Sequence, residues 1–278
     1  MPTALTPPSG PHDSVPTVAS ASRVYDFFLG GDDHYDVDRV AASFILRAFP
    51  WTGVLAKHNR HFVQRAVRYM SDEGIDQFLD LGSGLPTMGH VHEIVHADNP
   101  AARVVYSDYE RYAVDKGRQI LADNPNATEI FADFMRPDTI LNNDEVREML
   151  DFAKPIGLLM ASILHFIGPE AGPYRIVEKF KAAMAPGSIF ALSHGSWDGM
   201  TDELRLKMSD MQRAYNLNVA ENTVTRSLSE ISTFFHQWDI IEPGLVLMPD
   251  WRPDTPNYTP SPTDEARLVM FAAAARKP

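Results

Sequence analysis

The chain has 278 residues, a formal net charge of −12 at pH 7, 44% hydrophobic and 22% charged residues, and no cysteine. That length buries a core large enough for one large α/β domain or two smaller ones. The acidic balance argues against a general nucleic-acid binder, which needs a basic surface for phosphate contact. The lack of cysteine excludes disulfides, thiolate nucleophiles and cysteine-ligated zinc, while a His/Glu metal site stays open.

The N-terminal stretch MPTALTPPSGPHDSVPT has neither a basic n-region nor an apolar h-region, and its Pro, Ser and Thr content suggests a mobile tail over residues 1–20. The longest apolar run, IGLLMASILHFIG, is shorter than the roughly 18 residues a membrane span needs. A cytoplasmic protein is expected, with a small-molecule partner and neither a membrane nor a nucleic-acid partner. The oligomeric state is unknown at this level.

From residue 21 the chain reads as helical pieces. Val24, Phe27 and Phe28, then Val40, Phe44 and Ile45, recur at helical spacing, with Gly30 and Gly31 as a hinge between them. A further helix, KHNRHFVQRAVRYMSDEG, ends at Gly74, so residues 21–74 form a helical cap or arm.

From residue 75 the pattern changes to short apolar runs separated by helix-length segments, which predicts βαβ units and a mainly parallel sheet. Strands are expected at 75–82, 102–108, 127–133, 156–164 and 188–194. Residues 75–198 thus make a core, and 199–235 a helical segment facing the substrate. In 236–278, WDIIEPGLVLM and RLVMFAAAA can form an antiparallel pair at the sheet edge. No internal repeat or second composition regime marks an independent domain.

The segment QFLDLGSGLPT places Asp80, Gly82 and Gly84 where a buried strand turns into a helix. Glycines there let backbone approach a ligand closely, as in a nucleotide-binding loop. Thr87 stands where a third glycine would complete G-x-G-x-x-G, and Pro86 precedes it. Asp108 closes the second strand and Asp133 the third, so three acids line one sheet edge. A carboxylate at the second strand suits a ribose diol, since both of its oxygens accept; one after the third can accept from an adenine amino group.

The glycine loop alone leaves NAD and S-adenosylmethionine both open. A dinucleotide brings a pyrophosphate to the turn, whereas S-adenosylmethionine brings a sulfonium and an ammonium. Asp80 in an acidic chain favours the cations, and the missing third glycine points the same way.

A competing motif lies at residues 92–96, HEIVH, which fits the zincin pattern H-E-x-x-H. The metzincin extension requires Gly at position 99 and His at 102, where this chain has Asn99 and Ala102. No downstream Glu is singled out as a third ligand. The stretch therefore reads as the flank of the helix after the glycine turn, with His92 ordering the loop and no metal expected.

In the order RVYDFFLGG, NRHFVQRAVRYM, QFLDLGSGLPT, HVHEIV, ARVVYSD, ADFMRP, SILHFI, GSIFALSH and EPGLVLMPDWRP, the chain resembles the class I S-adenosylmethionine-dependent methyltransferases. Within them it is similar to an actinobacterial group long catalogued as a domain of unknown function. The resemblance covers about residues 21–275. It implies a Rossmann-like, doubly wound, seven-stranded sheet, mainly parallel with a reversed last strand, and S-adenosylmethionine over the first and fourth strands, with S-adenosylhomocysteine as product. Carried over, Asp80, Gly82, Ser83 and Gly84 would cradle the methionine portion, Asp108 the ribose, and Asp133 with Phe134 the adenine, with Tyr109 also among the cofactor-binding residues. Ala161 and Ser162 would lie near the sulfonium. The resemblance supplies no acceptor.

Each remaining candidate has an ordinary reading beside the functional one. Asp80 can simply cap a helix, and Asp133 can be a turn residue. Tyr25 can close over the cofactor as a lid or pack as a core aromatic. Arg60 can pair with the cofactor carboxylate or make a surface ion pair. His165 and His194 follow the fourth and fifth strands, where an imidazole can take a proton from the acceptor; both can equally be structural. The overall expectation is methyl transfer to a small molecule, and the alternative is a protein that binds or senses S-adenosylmethionine without catalysis.

Overall fold

The computed structural model describes residues 15–85, 89–255, 261 and 263–278. Residues 1–14 of the expected tail, and Pro86 and Thr87 of the glycine turn, lie outside them. Of the remaining tail, Ala19 and Ser20 are buried, so packed chain begins before residue 21.

Three helices come first: α1 (Ala21–Leu29), α2 (Asp36–Ala48) and α3 (Thr52–Asp72). Ser20 caps α1 by accepting from the Arg23 amide. Gly30 ends it in the left-handed region, φ 83°, which glycine adopts without a Cβ penalty. The break between α1 and α2 falls there, at the Gly30–Gly31 pair.

The alternation then runs β1 (Gln77–Leu81), α4 (Val91–Asp98), β2 (Arg103–Asp108), α5 (Arg111–Leu121) and β3 (Ala127–Phe131). It continues through α6 (Pro137–Leu141), α7 (Asp144–Met149), β4 (Gly157–Ala161), α8 (Pro173–Ala183) and β5 (Ile189–Gly195). After α9 (Asp202–Asn218) and α10 (Leu228–Thr233) come β6 (Asp239–Ile240), β7 (Val246–Leu247) and β8 (Met270–Arg276).

The strand order is β3-β2-β1-β4-β5-β8-β6, with β7 also paired to β8. β1 to β5 are parallel, and β8 runs antiparallel to β5, Gly195 facing Met270. The sheet therefore has the reversed strand expected of it, with two differences. The short β7 makes eight strands rather than seven, and β8 lies inside the sheet while β6 and β7 share its outer edge. Burial explains the second difference: Ala272 to Ala275 are completely buried, whereas both residues of β6 are exposed. β4 also ends earlier than its apolar run, because Ser162 turns left-handed, φ 57°, and Leu164–Phe166 form a 3-10 turn.

Side chains alternate across the strands. Phe78, Val104 and Leu159 meet α3 and α4 on one face. Leu79, Val105 and Leu158 meet α7 and α8 on the other. A smaller cluster joins α1 and α2, through Val24, Ala42 and Ile45, to Val219 just after α9. The helical arm is thereby fastened over the carboxyl ends of the parallel strands, where the order reverses between β1 and β4 and ligands bind in open α/β sheets.

Candidate functional site

A cavity of about 240 Å³ lies along that edge. Its floor begins at the turn after β1. Gly82 and Gly84 both have φ 66°, and the amide of Gly82 donates to the Ser107 carbonyl at 2.7 Å. A Cβ on Gly82 would sit 2.5 Å from Cγ2 of Ile163, so glycine is required for packing as well as for conformation. The Gly84 amide donates to Oδ2 of Asp108 at 2.9 Å, and the Glu110 amide to Oδ1 at 2.8 Å. These bonds orient the Asp108 carboxylate and leave further lone pairs for a diol.

Burial dominates the electrostatics. It pushes Asp80 up to about 7, with nearby Asp108 raising it further and Arg60 opposing. It pushes Asp108 up to about 6, against the lowering effect of the two amide bonds. Glu129, buried beside them on β3, is held well above the usual carboxylate range even though Ser83 donates to it at 2.8 Å. A ligand that brings positive charge into this half of the cavity would offset the cost of ionising these acids, and a pyrophosphate would add to it.

Of the residues singled out in the sequence, Tyr25, Arg60, Asp80, Gly82, Ser83, Gly84, Asp108, Tyr109, Phe134, Ala161, Ser162 and His165 all line this cavity. Asp133 and His194 do not. Asp133 accepts from the Met135 amide at 2.9 Å and stays in its turn while Phe134 reaches the wall. His194 is fully buried, with Nδ1 donating to the Gly195 carbonyl at 2.8 Å and Nε2 accepting from Arg226 at 2.7 Å. Strand alternation is the reason. Ser193 meets α3 while His194, one residue on, points to the opposite face.

His165 is placed differently. It reaches the cavity, and among the described residues its ring makes no hydrogen bond, only edge contacts with Phe166 and His194. Burial, with His194 and Arg226 close by, pulls it down to about 3, so the imidazole is neutral at physiological pH.

Several wall residues carried no sequence signal. Asn59 on α3 accepts from Ser193 at 2.6 Å and donates to the Tyr25 hydroxyl at 2.9 Å. Glu110 accepts from Ser20 at 2.8 Å, and also from Ser22 and Arg23, pinning α1 over the mouth. Glu221 accepts from the Ala21 amide at 2.9 Å and from the Tyr109 hydroxyl. Helix α9 contributes Met208, Met211, Gln212 and Tyr215. The sequence marks 199–235 as helical and on the substrate side, but not which of its side chains meet the cavity.

The HEIVH residues lie on α4. The Tyr106 hydroxyl accepts from the His92 amide and lies 2.8 Å from Nδ1 of the same residue. His96 donates from Nε2 to the Ala102 carbonyl at 2.8 Å, and Glu93 accepts from the His90 amide. Among the described residues, no group of three or more His, Cys, Asp or Glu side chains is arranged to hold a metal ion.

A Rossmann-like sheet with a reversed strand, a glycine turn and buried acids at the ends of β1 and β2 defines the class of nucleoside-cofactor enzymes that handle a cationic ligand. The comparisons narrow it. A family model described as S-adenosyl methyltransferase matches residues 11–278, and the chain belongs to that family. It is similar to a solved Thermobifida fusca YX protein described as a candidate methyltransferase, with 34% identity over 94% of this chain and 95% of the other and a TM-score of 0.86. It is also similar to a DUF574 family protein from Streptomyces avermitilis MA-4680, with 31% identity over 94% and 98% of the two chains and a TM-score of 0.86. No match is found among the curated proteins. The protein is a methyltransferase, and S-adenosylmethionine is its cofactor. No helix among the described residues is long and apolar enough to cross a membrane.

Proposed function

We propose that the protein methylates a small molecule, held between α1, α9 and the ends of β4 and β5. The observation that carries this reading is the continuity of one cavity from the acids at β1 and β2 to an unpartnered imidazole, His165, beyond β4. In this reading Asp80, Gly82, Ser83 and Gly84 hold the methionine portion of the cofactor, with Arg60 beside its carboxylate. Asp108 and Tyr109 hold the ribose, Phe134 packs on the adenine, and Asp133 shapes the turn that presents Phe134. Ala161 and Ser162 border the reacting centre, and Tyr25 closes it from above.

When bound, S-adenosylmethionine supplies an electrophilic methyl group on a sulfonium that is already a good leaving group. The protein's task is then chiefly to align the acceptor and exclude water. His165 is neutral, lines the cavity and makes no ring hydrogen bond among the described residues, so it can accept a hydrogen bond from an acceptor O–H or N–H. With so low a pKa it is a weak proton acceptor, suited to orienting that group and taking its proton only as the new bond forms. His194 supports this through packing rather than proton transfer, since both of its nitrogens are engaged.

The test is incubation with cofactor labelled in its methyl group and fractionated cell metabolites, alongside calorimetry with S-adenosylhomocysteine. Label is expected in a product of low molecular mass. Tight cofactor binding with no labelled product from any pool would overturn the catalytic reading of this site.

A further inference from the structure

The cavity is chemically divided. Among the described residues, the charged side chains on its wall are Arg60, Asp80, Asp108, Glu110 and Glu221. All belong to the half over β1 and β2: Glu110 follows Asp108, and Glu221 is bonded to Tyr109. The half over β4, β5 and β8 carries no lysine, arginine, aspartate or glutamate. Its wall includes Met200, Met208, Met211 and Met270, with Trp197 and Phe166 beside them.

The polar side chains there, Ser162, Ser196 and Gln212 among them, are uncharged, and two more stand without a hydrogen bond. The His165 ring makes no hydrogen bond, and neither does the Tyr215 hydroxyl, among the described residues. Burial holds Tyr215 protonated well beyond neutral pH, with Glu221 and Glu110 adding to the effect. The wall thus offers one neutral acceptor and one neutral donor without partners, on a surface that is uncharged and mostly apolar. Methionine is flexible and polarisable and packs favourably against ring edges, so such a wall moulds to a flat ligand. A charged ligand would lose its water there and meet no charged side chain except where Glu110 and Glu221 act on Tyr215.

Resting on the methyltransferase reading above, we propose that the acceptor is an uncharged, planar, mostly apolar molecule. It is an aromatic phenol or heterocycle whose O–H or N–H meets His165, and whose ring lies between the α9 methionines and Trp197.

The test uses the full chain saturated with S-adenosylhomocysteine and three probes of one shape: 2-naphthol, 2-naphthoate and 2-(aminomethyl)naphthalene. Calorimetry is expected to show 2-naphthol binding at least about tenfold more tightly than either charged probe. Met211→Glu is expected to reverse the preference toward the ammonium probe, and Met211→Leu to keep it for naphthol. S-Adenosylhomocysteine affinity should stay within about twofold in both variants, which also reports that they are folded. Equal or tighter binding of a charged probe to the unmodified chain overturns the proposal, as does no binding of 2-naphthol. Failure of S-adenosylhomocysteine itself to bind overturns the cofactor reading instead, so the two are separable.

Discussion

Asn59 and Tyr25 are joined by a hydrogen bond of 2.9 Å from the amide nitrogen of one to the phenol oxygen of the other. The bond belongs to a chain. The Ser162 amide donates to Ser193 at 2.9 Å, Ser193 to Asn59 at 2.6 Å, and Tyr25 onward to the Ala56 carbonyl at 3.1 Å. It ties the end of β4 through β5 and α3 to the helix that roofs the cavity.

Asn59→Leu removes one hydrogen-bond partner each from the Ser193 and Tyr25 hydroxyls, which keep their bonds to Ser162 and Ala56. Each lost hydrogen bond costs about 0.5–1.5 kcal/mol, so a fall in unfolding temperature is expected, together with weaker S-adenosylhomocysteine binding. Tyr25→Phe removes one link and should be milder. Thermal unfolding with calorimetry checks both, and an unchanged Asn59→Leu variant would show that the chain does not organise the roof.

Asp80 and Asp108 predict a pH dependence. Both are raised above their ordinary value of 3.8 in the empty fold, Asp80 to about 7 and Asp108 to about 6. Their protonation therefore contributes stability that is fully present below 3.8 and is lost as pH climbs through those values. A cationic cofactor favours the ionised forms. Its affinity should rise by about tenfold or more from about pH 5 to about pH 8. S-Adenosylhomocysteine, which lacks the sulfonium charge, should rise less. Calorimetry across that range is the measurement, and a flat profile for S-adenosylmethionine counts against these carboxylates as its partners.

His165 and His194 should separate cleanly. His165→Gln is expected to lower kcat by about a hundredfold while leaving unfolding temperature and cofactor affinity nearly unchanged. The wild-type rate should show no imidazole step above about pH 5, because the ring is pulled down to about 3. His194→Ala leaves an Arg226 donor buried without its acceptor and should cost about 2 kcal/mol of stability. Loss of rate without loss of stability in His194→Ala would reverse these assignments.

The HEIVH stretch makes a negative prediction. Dialysis against a chelator should leave activity intact, and metal analysis should find no stoichiometric zinc. His92→Phe should lower stability by about 1 kcal/mol through the lost contact with the Tyr106 hydroxyl, with cofactor affinity retained. Zinc at one per chain, lost on replacing His92 or His96, would sink this account.

The layered fold, its parallel strands, the glycine turn and the acids at the ends of β1 and β2 are legible in the order of residues alone. These are local signals: an apolar run, a conformation only glycine adopts easily, and a side chain whose position follows from the strand it ends. Packing decided that β8 lies inside the sheet rather than at its edge, because that depends on which apolar run is buried by its neighbours. It also turned His194 away from the cavity and His165 into it, through strand alternation and a left-handed Ser162 that no spacing reveals. Asn59 and Ser193 are 134 residues apart in sequence and meet only because α3 packs on β5. The methionine wall of α9 is of the same kind. The sequence marks a helix on the substrate side, but which of its side chains reach the cavity depends on where the helix docks.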